Sequence, residues 1–278
     1  MGVLGLVGVM AAACSSSSSG PTNEEVATKY STNICARYAA CSPTLITIAF
    51  GDVTACEAST KRSALVAVAA PQTGLTAAKG LECADKIPAL SCADLFDGKV
   101  PPECTLIKGG IANGTACGES GQCQSGFCAK AVDNTCGSCA IPPTAGQSCA
   151  NGDCPTGLKC ISGTCQAPGT AGSPCNANQP CGLAFTCFNG KCQAAGKVGD
   201  ACDFQAKTAP ACDLFQSGAI CQNGKTCEAL NIGKTGDTCG FIVNGTDTKY
   251  VACGAPSYCA KKSTEQSGVC AARAAEGT

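Results

Sequence analysis

The sequence predicts a small disulfide-rich modular protein: an N-terminal disulfide-stapled α-helical domain followed by five four-cysteine β-hairpin modules. Three observations predict it. Cysteine makes up 28 of 278 residues, a share that marks a disulfide scaffold. A Gly-x-x-Cys step recurs at Gly114/Cys117, Gly146/Cys149, Gly172/Cys175, Gly199/Cys202 and Gly236/Cys239, and three further cysteines follow each one. Helical periodicity stops after Ile111, where turn residues take over. A repeat of this length is the first feature to look for, because overlooking it misassigns the whole fold.

Composition narrows the functional classes. Trp is absent, aromatics are 4% of the chain, and Gly numbers 34. Such a chain cannot build a large apolar core and relies on covalent staples instead. A cysteine frame of this density persists only in an oxidising compartment. The net charge of −1 supplies no basic field for nucleic acid or an anionic membrane. Histidine is missing altogether. That removes Ser-His-Asp and Cys-His nucleophilic machinery and the commonest metal ligand, so the chain reads as non-enzymatic and without a cofactor.

Residues 1–13 are apolar yet too short to span a bilayer. They read as the hydrophobic and cleavage regions of a signal peptide. No positively charged n-region precedes them, which places the true start upstream or at another codon. Ala11-Ala12-Ala13-Cys14, followed by Ser15 to Ser19, resembles a bacterial lipobox with a Ser-rich tether over residues 14–21. The resemblance implies that Cys14 is diacylated and becomes the mature N-terminus. Ala11 stands where such motifs usually carry Leu. The competing reading is a plain signal peptide with an incidental cysteine.

Residues 22–108 form the helical domain. Thr22 and Glu25 make a capping box. Val26, Tyr30, Ile34, Tyr38 and Cys41 then trace one helical face. A second helix starts after Asp52, runs through Cys56 to about Ala69 and is stopped by Pro71. A third covers Leu75 to Lys86, and a short fourth runs from Ser91 to near Gly98. Cys35, Cys41, Cys56, Cys83, Cys92 and Cys104 allow three bridges in fifteen connectivities.

The modules follow as residues 109–145, 146–171, 172–198, 199–235 and 236–271, with a tail at 272–278. Ser162-Gly163, Asn189-Gly190 and Asn223-Gly224 precede the fourth cysteine of their modules. Such pairs supply the positive φ angles of a type I′ hairpin turn. Each module is therefore expected to be a two-stranded hairpin tied by two bridges, marginal when oxidised and unfolded when reduced.

Other constellations read as structural. Cys136-Gly-Ser-Cys139 is a C-x-x-C, but no βαβ pattern surrounds it as thioredoxin-like chemistry would need. The paired C-x2-C spacing of zinc ribbons is missing. Glu24-Glu25 suits a helix N-terminus better than a catalytic dyad. Asn113-Gly-Thr and Asn244-Gly-Thr match the glycosylation sequon and are turns if the source is bacterial.

Gly146, Cys149, Cys154, Gly157, Leu158, Cys160, Gly163 and Cys165 best carry a resemblance to the cysteine-rich repeats of bacterial surface lipoproteins similar to the Dickkopf N-terminal cysteine-rich domain. It covers residues 110–271. The resemblance implies a disulfide module and no particular function; the signalling role of the animal domain does not transfer.

Four cysteines allow three pairings. First-to-third and second-to-fourth are expected, as Cys149–Cys160 and Cys154–Cys165, because neighbour pairing leaves the hairpin uncrossed and its ends untied. With Cys14 lipidated an odd number of cysteines remains. Cys165 and Cys192 lie seven residues before the next repeat Gly, as does Cys139, so Cys136 is the supernumerary thiol. It is expected to form an intermolecular bridge in a disulfide-linked dimer, because it follows the polar run Asp133-Asn134-Thr135; the alternative is a buried, inert side chain.

The functional expectation is an exported lipoprotein of the bacterial outer membrane or cell surface, held to the membrane only through its lipid. It would serve as a structural or binding protein for an unknown protein or glycan partner, with the helical domain near the membrane and the modules projecting as a rod. The alternatives are a protease inhibitor built on small stapled loops and a hydrolase that uses carboxylates alone.

Overall fold

The computed structural model describes residues 20–105, 108–130, 135–149, 154–203, 205–222, 224–244 and 247–273. Residues 1–19, with the signal region and Cys14, and Asn223 of one predicted turn lie outside them. The helical domain holds α1 (Asn23–Cys41), α2 (Pro43–Ala49), α3 (Val53–Ala69), α4 (Ala77–Lys86) and α5 (Cys92–Phe96). The Thr22/Glu25 capping box opens α1, with Glu25 N donating to Thr22 Oγ1 at 3.2 Å. Asp52 caps α3 through Ala55 N, and Thr76 caps α4, so that helix starts two residues after Leu75. The sequence reading had no α2. Its signals are local: Ser42 ends α1 by donating its N–H to Tyr38 O, then accepts from Leu45 N, and Pro43 takes the first helical position.

Cysteines occupy the centre of this domain. Ile34, Cys35, Cys41, Ile46, Cys56, Ile87, Leu95 and Phe96 form its buried cluster. Cys35–Cys56 ties α1 to α3, Cys41–Cys92 ties α1 to α5, and Cys83–Cys104 ties α4 to the short 3-10 turn at Pro102–Cys104. A Cβ on Gly80 of α4 would lie 2.5 Å from Val26 Cγ1, so the missing side chain lets α4 close on α1.

The modules share one backbone plan. Their strands are β1 (Ala116–Cys117), β2 (Cys128–Ala129) and β3 (Gly137–Cys139); β4 (Lys159–Ile161) and β5 (Thr164–Gln166); β6 (Phe185–Phe188) and β7 (Lys191–Ala194); β8 (Ala219–Gln222) and β9 (Thr226–Ala229); and β10 (Asn231–Gly233), β11 (Thr238–Asn244), β12 (Asp247–Cys253), β13 (Ser257–Ala260) and β14 (Ser267–Ala272). The third and fourth cysteines of each module face each other across a strand pair: Cys128/Cys139, Cys160/Cys165, Cys187/Cys192, Cys221/Cys227 and Cys259/Cys270. They bond elsewhere. The third joins the first and the fourth joins the second in all five modules, as Cys149–Cys160 and Cys154–Cys165 do in module 2. Ser162-Gly163 and Asn189-Gly190 adopt positive φ at both residues, the type I′ condition.

The repeat glycine has a definite task. Gly114, Gly146, Gly172, Gly199 and Gly236 have φ between 78° and 96°. Each is the third residue of a turn closed by the next residue's N–H, as Ser173 N to Thr170 O at 3.0 Å. Positive φ at that position is the type II pattern and favours Gly. The same glycine donates its N–H to the carbonyl of its module's fourth cysteine at 2.7–2.8 Å. That cysteine's own N–H bonds the carbonyl of the residue after the glycine, at 2.8–2.9 Å. The fourth cysteine is thus locked by its sulfur, its N–H and its C=O, and in every module it is no more than 1% exposed.

A second glycine, not anticipated from sequence, sits three residues earlier in modules 3, 4 and 5. Gly169, Gly196 and Gly233 pair in parallel with the second cysteine of their module. A Cβ on Gly169 would stand 2.7 Å from Cys192 Sγ, and one on Gly196 would stand 2.9 Å from Cys227 Sγ. The chain crosses directly over a disulfide there, with no room for a side chain.

Two modules depart from the two-stranded plan. Module 1 is a three-stranded sheet in the order β1-β3-β2, and module 5 a five-stranded sheet in the order β10-β12-β11-β14-β13. β10 belongs to the 199–235 segment, so the sheet of module 5 starts before residue 236. β14 ends at Ala272, one residue inside the expected tail.

The expected outward-projecting rod is not what forms. In module 1, Gly110 N donates to Gln72 O and Gln122 Nε2 to Pro71 O. In module 3, Leu183 N donates to Asp97 Oδ1 at 3.1 Å. Phe215 of module 4 packs on Phe96 at 5.9 Å between ring centroids. In module 5, Ala255 N donates to Thr47 O. The modules fold back on the helical domain, and Phe215 joins the packing around its buried cluster.

Candidate interaction surface

Cys136 carries a free thiol and is exposed, which removes the buried-thiol alternative. Its C-x-x-C partner Cys139 is bridged to Cys123, so the motif is no dithiol pair. A shallow groove of ≈ 520 Å³ runs beside it, between the end of α3 and module 1, lined by Val66, Pro71, Glu119, Gln122 and Thr135 among others. The Gln122 amide bridges the groove's two walls: Oε1 accepts from the N–H groups of Gly118 and Glu119, and Nε2 donates to Pro71 O.

No catalytic pair forms among the described residues of the two main grooves. The other, of ≈ 490 Å³, is lined by Glu24 and Glu25. Glu25 is committed to the capping box, and the Thr22 N–H holds its carboxyl below the usual carboxylate range. Glu24 pairs with Lys61 at 2.5 Å. Each acid has its own structural partner, Thr22 for Glu25 and Lys61 for Glu24. Asn113 stands exposed in the turn that opens module 1; the Asn244 side chain lies outside the described part.

The sulfurs of each module lie close together. Cys149, Cys154 and Cys165 place their Sγ atoms within 4.8 Å of one another, and an equivalent triplet occurs in each of the other four modules. All are spent in bridges, so the oxidised protein presents no thiolate there.

Module 5 presents the clearest contact surface. Among the large hydrophobic side chains, Phe241, Val243, Tyr258 and Val269 are exposed here, Val243 by 57%. Register explains two of them. Phe241 faces Tyr250 and Val243 faces Thr248 across β11 and β12, so the four side chains share one face of that ribbon. The Phe241 and Tyr250 rings meet at 5.0 Å. β14 covers β11 only over Thr238–Gly240, and β10 covers β12 only over Val251–Cys253. The rest of the ribbon is a two-stranded projection with an aromatic face. The sequence analysis did not single this face out, because it expected every module to be the same two-stranded hairpin.

The bridges fit an exported protein. Among the described residues no helix is long and apolar enough to cross a membrane. No known family, curated protein or solved structure matches the chain.

Proposed function

We propose that this chain is a non-enzymatic binding protein held at a bacterial outer membrane or cell surface through a lipidated Cys14, related in its modules to Dickkopf-like cysteine-rich lipoproteins. Module 5 makes the contact, and its partner is another surface protein. The observation that carries the reading is the contrast within the repeat. The module that departs furthest from the stapled plan is the one whose ribbon exposes Phe241 and Val243 side by side on one face, and exposed apolar patches mark interaction sites. Modules 2 to 4 act as covalent spacers that hold it against the helical domain. The exposed Cys136 thiol offers a route to a disulfide-linked pair.

The test places a photoreactive side chain at position 243 and, as a control, at the exposed Val198 at the end of module 3. Illumination of intact cells is expected to give a discrete adduct from 243 and none from 198. Equal labelling from both, or none from 243, overturns the contact. Detergent-phase partitioning checks the anchor: it should be lost in Cys14→Ala, and a wild-type protein that stays aqueous removes that part.

A further inference from the structure

We propose that the outer face of the module 5 sheet is one continuous uncharged surface, aligned by a β-bulge at Gly240, and that a second copy of this chain packs against it. The proposal rests on the reading of module 5 as the contact module and names the partner it meets.

The alignment follows from register. A Cβ on Gly233 would meet Val251 Cγ1 at 3.2 Å and Cys270 Sγ at 3.3 Å, so Val251 and Cys270 point to one side of the sheet, where both are buried. Tyr250 precedes Val251 on β12 and Val269 precedes Cys270 on β14, so both point to the other side. Phe241 faces Tyr250, while Thr238 faces Val269. Thr238 and Phe241 are an odd number of residues apart on one strand, and regular alternation would send them to opposite sides. Gly240 removes the conflict. Its φ is +87°; it pairs with Ser267, and Phe241 N donates to the neighbouring Gln266 O at 2.9 Å. That is the extra residue of a glycine bulge. A Cβ there would lie 2.4 Å from Gln266 O, so a side chain is excluded. The bulge brings Phe241 and Val243 to the side that already carries Val269 and, through the β13–β14 register, Tyr258. Those four side chains are 43–57% exposed.

The composition of this face selects its occupant. Its paired positions on β11 to β14 are aromatic, aliphatic, Ser or Thr, and none is charged. Lys249 faces Ile242 on the opposite side. An anionic membrane is held through Lys and Arg, and a charged protein surface would lose its hydration here with no charge to pair. A two-fold contact lays a patch on itself, so a charge near the axis meets its like. A face without charge is compatible with its own copy. Two such sheets pack face to face. Four strands at ~4.8 Å spacing, with β11 and β12 of 7 residues each at ~3.3 Å per residue, offer at most roughly 400 Å² per copy. The pair buries less than the about 1,200–2,000 Å² of a stable complex, so the dimer is reversible.

The experiment uses the full-length chain carrying Cys136→Ser, so that no covalent bridge contributes, and measures its mass by sedimentation equilibrium over a range of concentrations. A monomer–dimer equilibrium that added salt does not weaken is expected. Val243→Lys, beyond the bulge, and Val269→Lys, before it, should each lower the association constant by about tenfold or more, because each buries a charge in the contact. Val198→Lys, exposed and outside module 5, should leave it unchanged. Tyr258→Lys repeats the Val269 test on β13, and mapping of Cys239–Cys259 and Cys253–Cys270 checks that each variant is folded. A dimer dissolved by Val243→Lys but by neither Val269→Lys nor Tyr258→Lys would break the continuity across Gly240. A chain that stays monomeric, or a dimer dissolved by salt or indifferent to all three variants, overturns the second copy as occupant. An intact-cell adduct from position 243 that contains a different protein would do the same while leaving module 5 as the contact module.

Discussion

At the scale of single residues, two glycines three positions apart serve opposite needs. Gly172 has φ of +78° and open space around its missing Cβ; Gly169 has a disulfide sulfur 2.7 Å from where a Cβ would stand. The first is required for backbone conformation, the second for volume. Asn tolerates the left-handed region, so Gly172→Asn should cost less than about 1 kcal/mol. Gly169→Asn should cost about 1–3 kcal/mol by overpacking. Oxidative refolding with mass-spectrometric mapping of Cys181–Cys192 distinguishes them: native pairing survives the first and falls in the second. A reversed order would mean that the turn, and not the crossing, organises the module. The repeat glycine was legible because it sits at a fixed offset from a cysteine. Gly169 was overlooked because its reason is a contact with Cys192, a long-range fact, although Gly-x-x-Gly-x-x-Cys is written in modules 3, 4 and 5.

At the scale of elements, local signals were read well. Thr22 and Glu25 announced α1, Asp52 announced α3, and Ser162-Gly163 announced the β4–β5 turn, since each acts within a few residues. α2 was missed because Cys41-Ser42-Pro43 reads as an ending, whereas Ser42 caps both helices. How the elements dock was not legible at all. Phe215 sits in a loop between two module cysteines, and only the fold shows it against Phe96. Removing a partly buried ring that completes a core costs about 2 kcal/mol. Phe215→Ala is therefore expected to leave every disulfide intact while making the helical domain more susceptible to limited proteolysis near α5. Unchanged cleavage would show that the domain does not depend on module 4.

At the scale of the whole molecule, a covalent dimer depends on one atom. Cys136 Sγ is exposed and has no disulfide partner among the described residues. On a non-reducing gel the oxidised protein is expected to run partly as a dimer, and Cys136→Ser to run only as a monomer. A wild-type protein that stays monomeric at high concentration would rule out the covalent pair. The odd cysteine was identifiable from spacing alone, and the polar run Asp133-Asn134-Thr135 before it pointed to the exposure that the fold shows.

The fold-back of the modules constrains how this chain can change. A stacked repeat array gains or loses a unit with little effect elsewhere, since each unit touches only its neighbours. Here modules 1, 3, 4 and 5 each meet a different point on the helical domain: Gln72, Asp97, Phe96 and Thr47. Deleting module 3 would withdraw Leu183 from Asp97 and draw Phe215 out of reach of its ring. The helical domain works as a ruler that counts the units laid along it, so a duplication or loss that an open solenoid would absorb must here be matched by change in α1 to α5. Copy number in this architecture is a property of the domain that does not repeat.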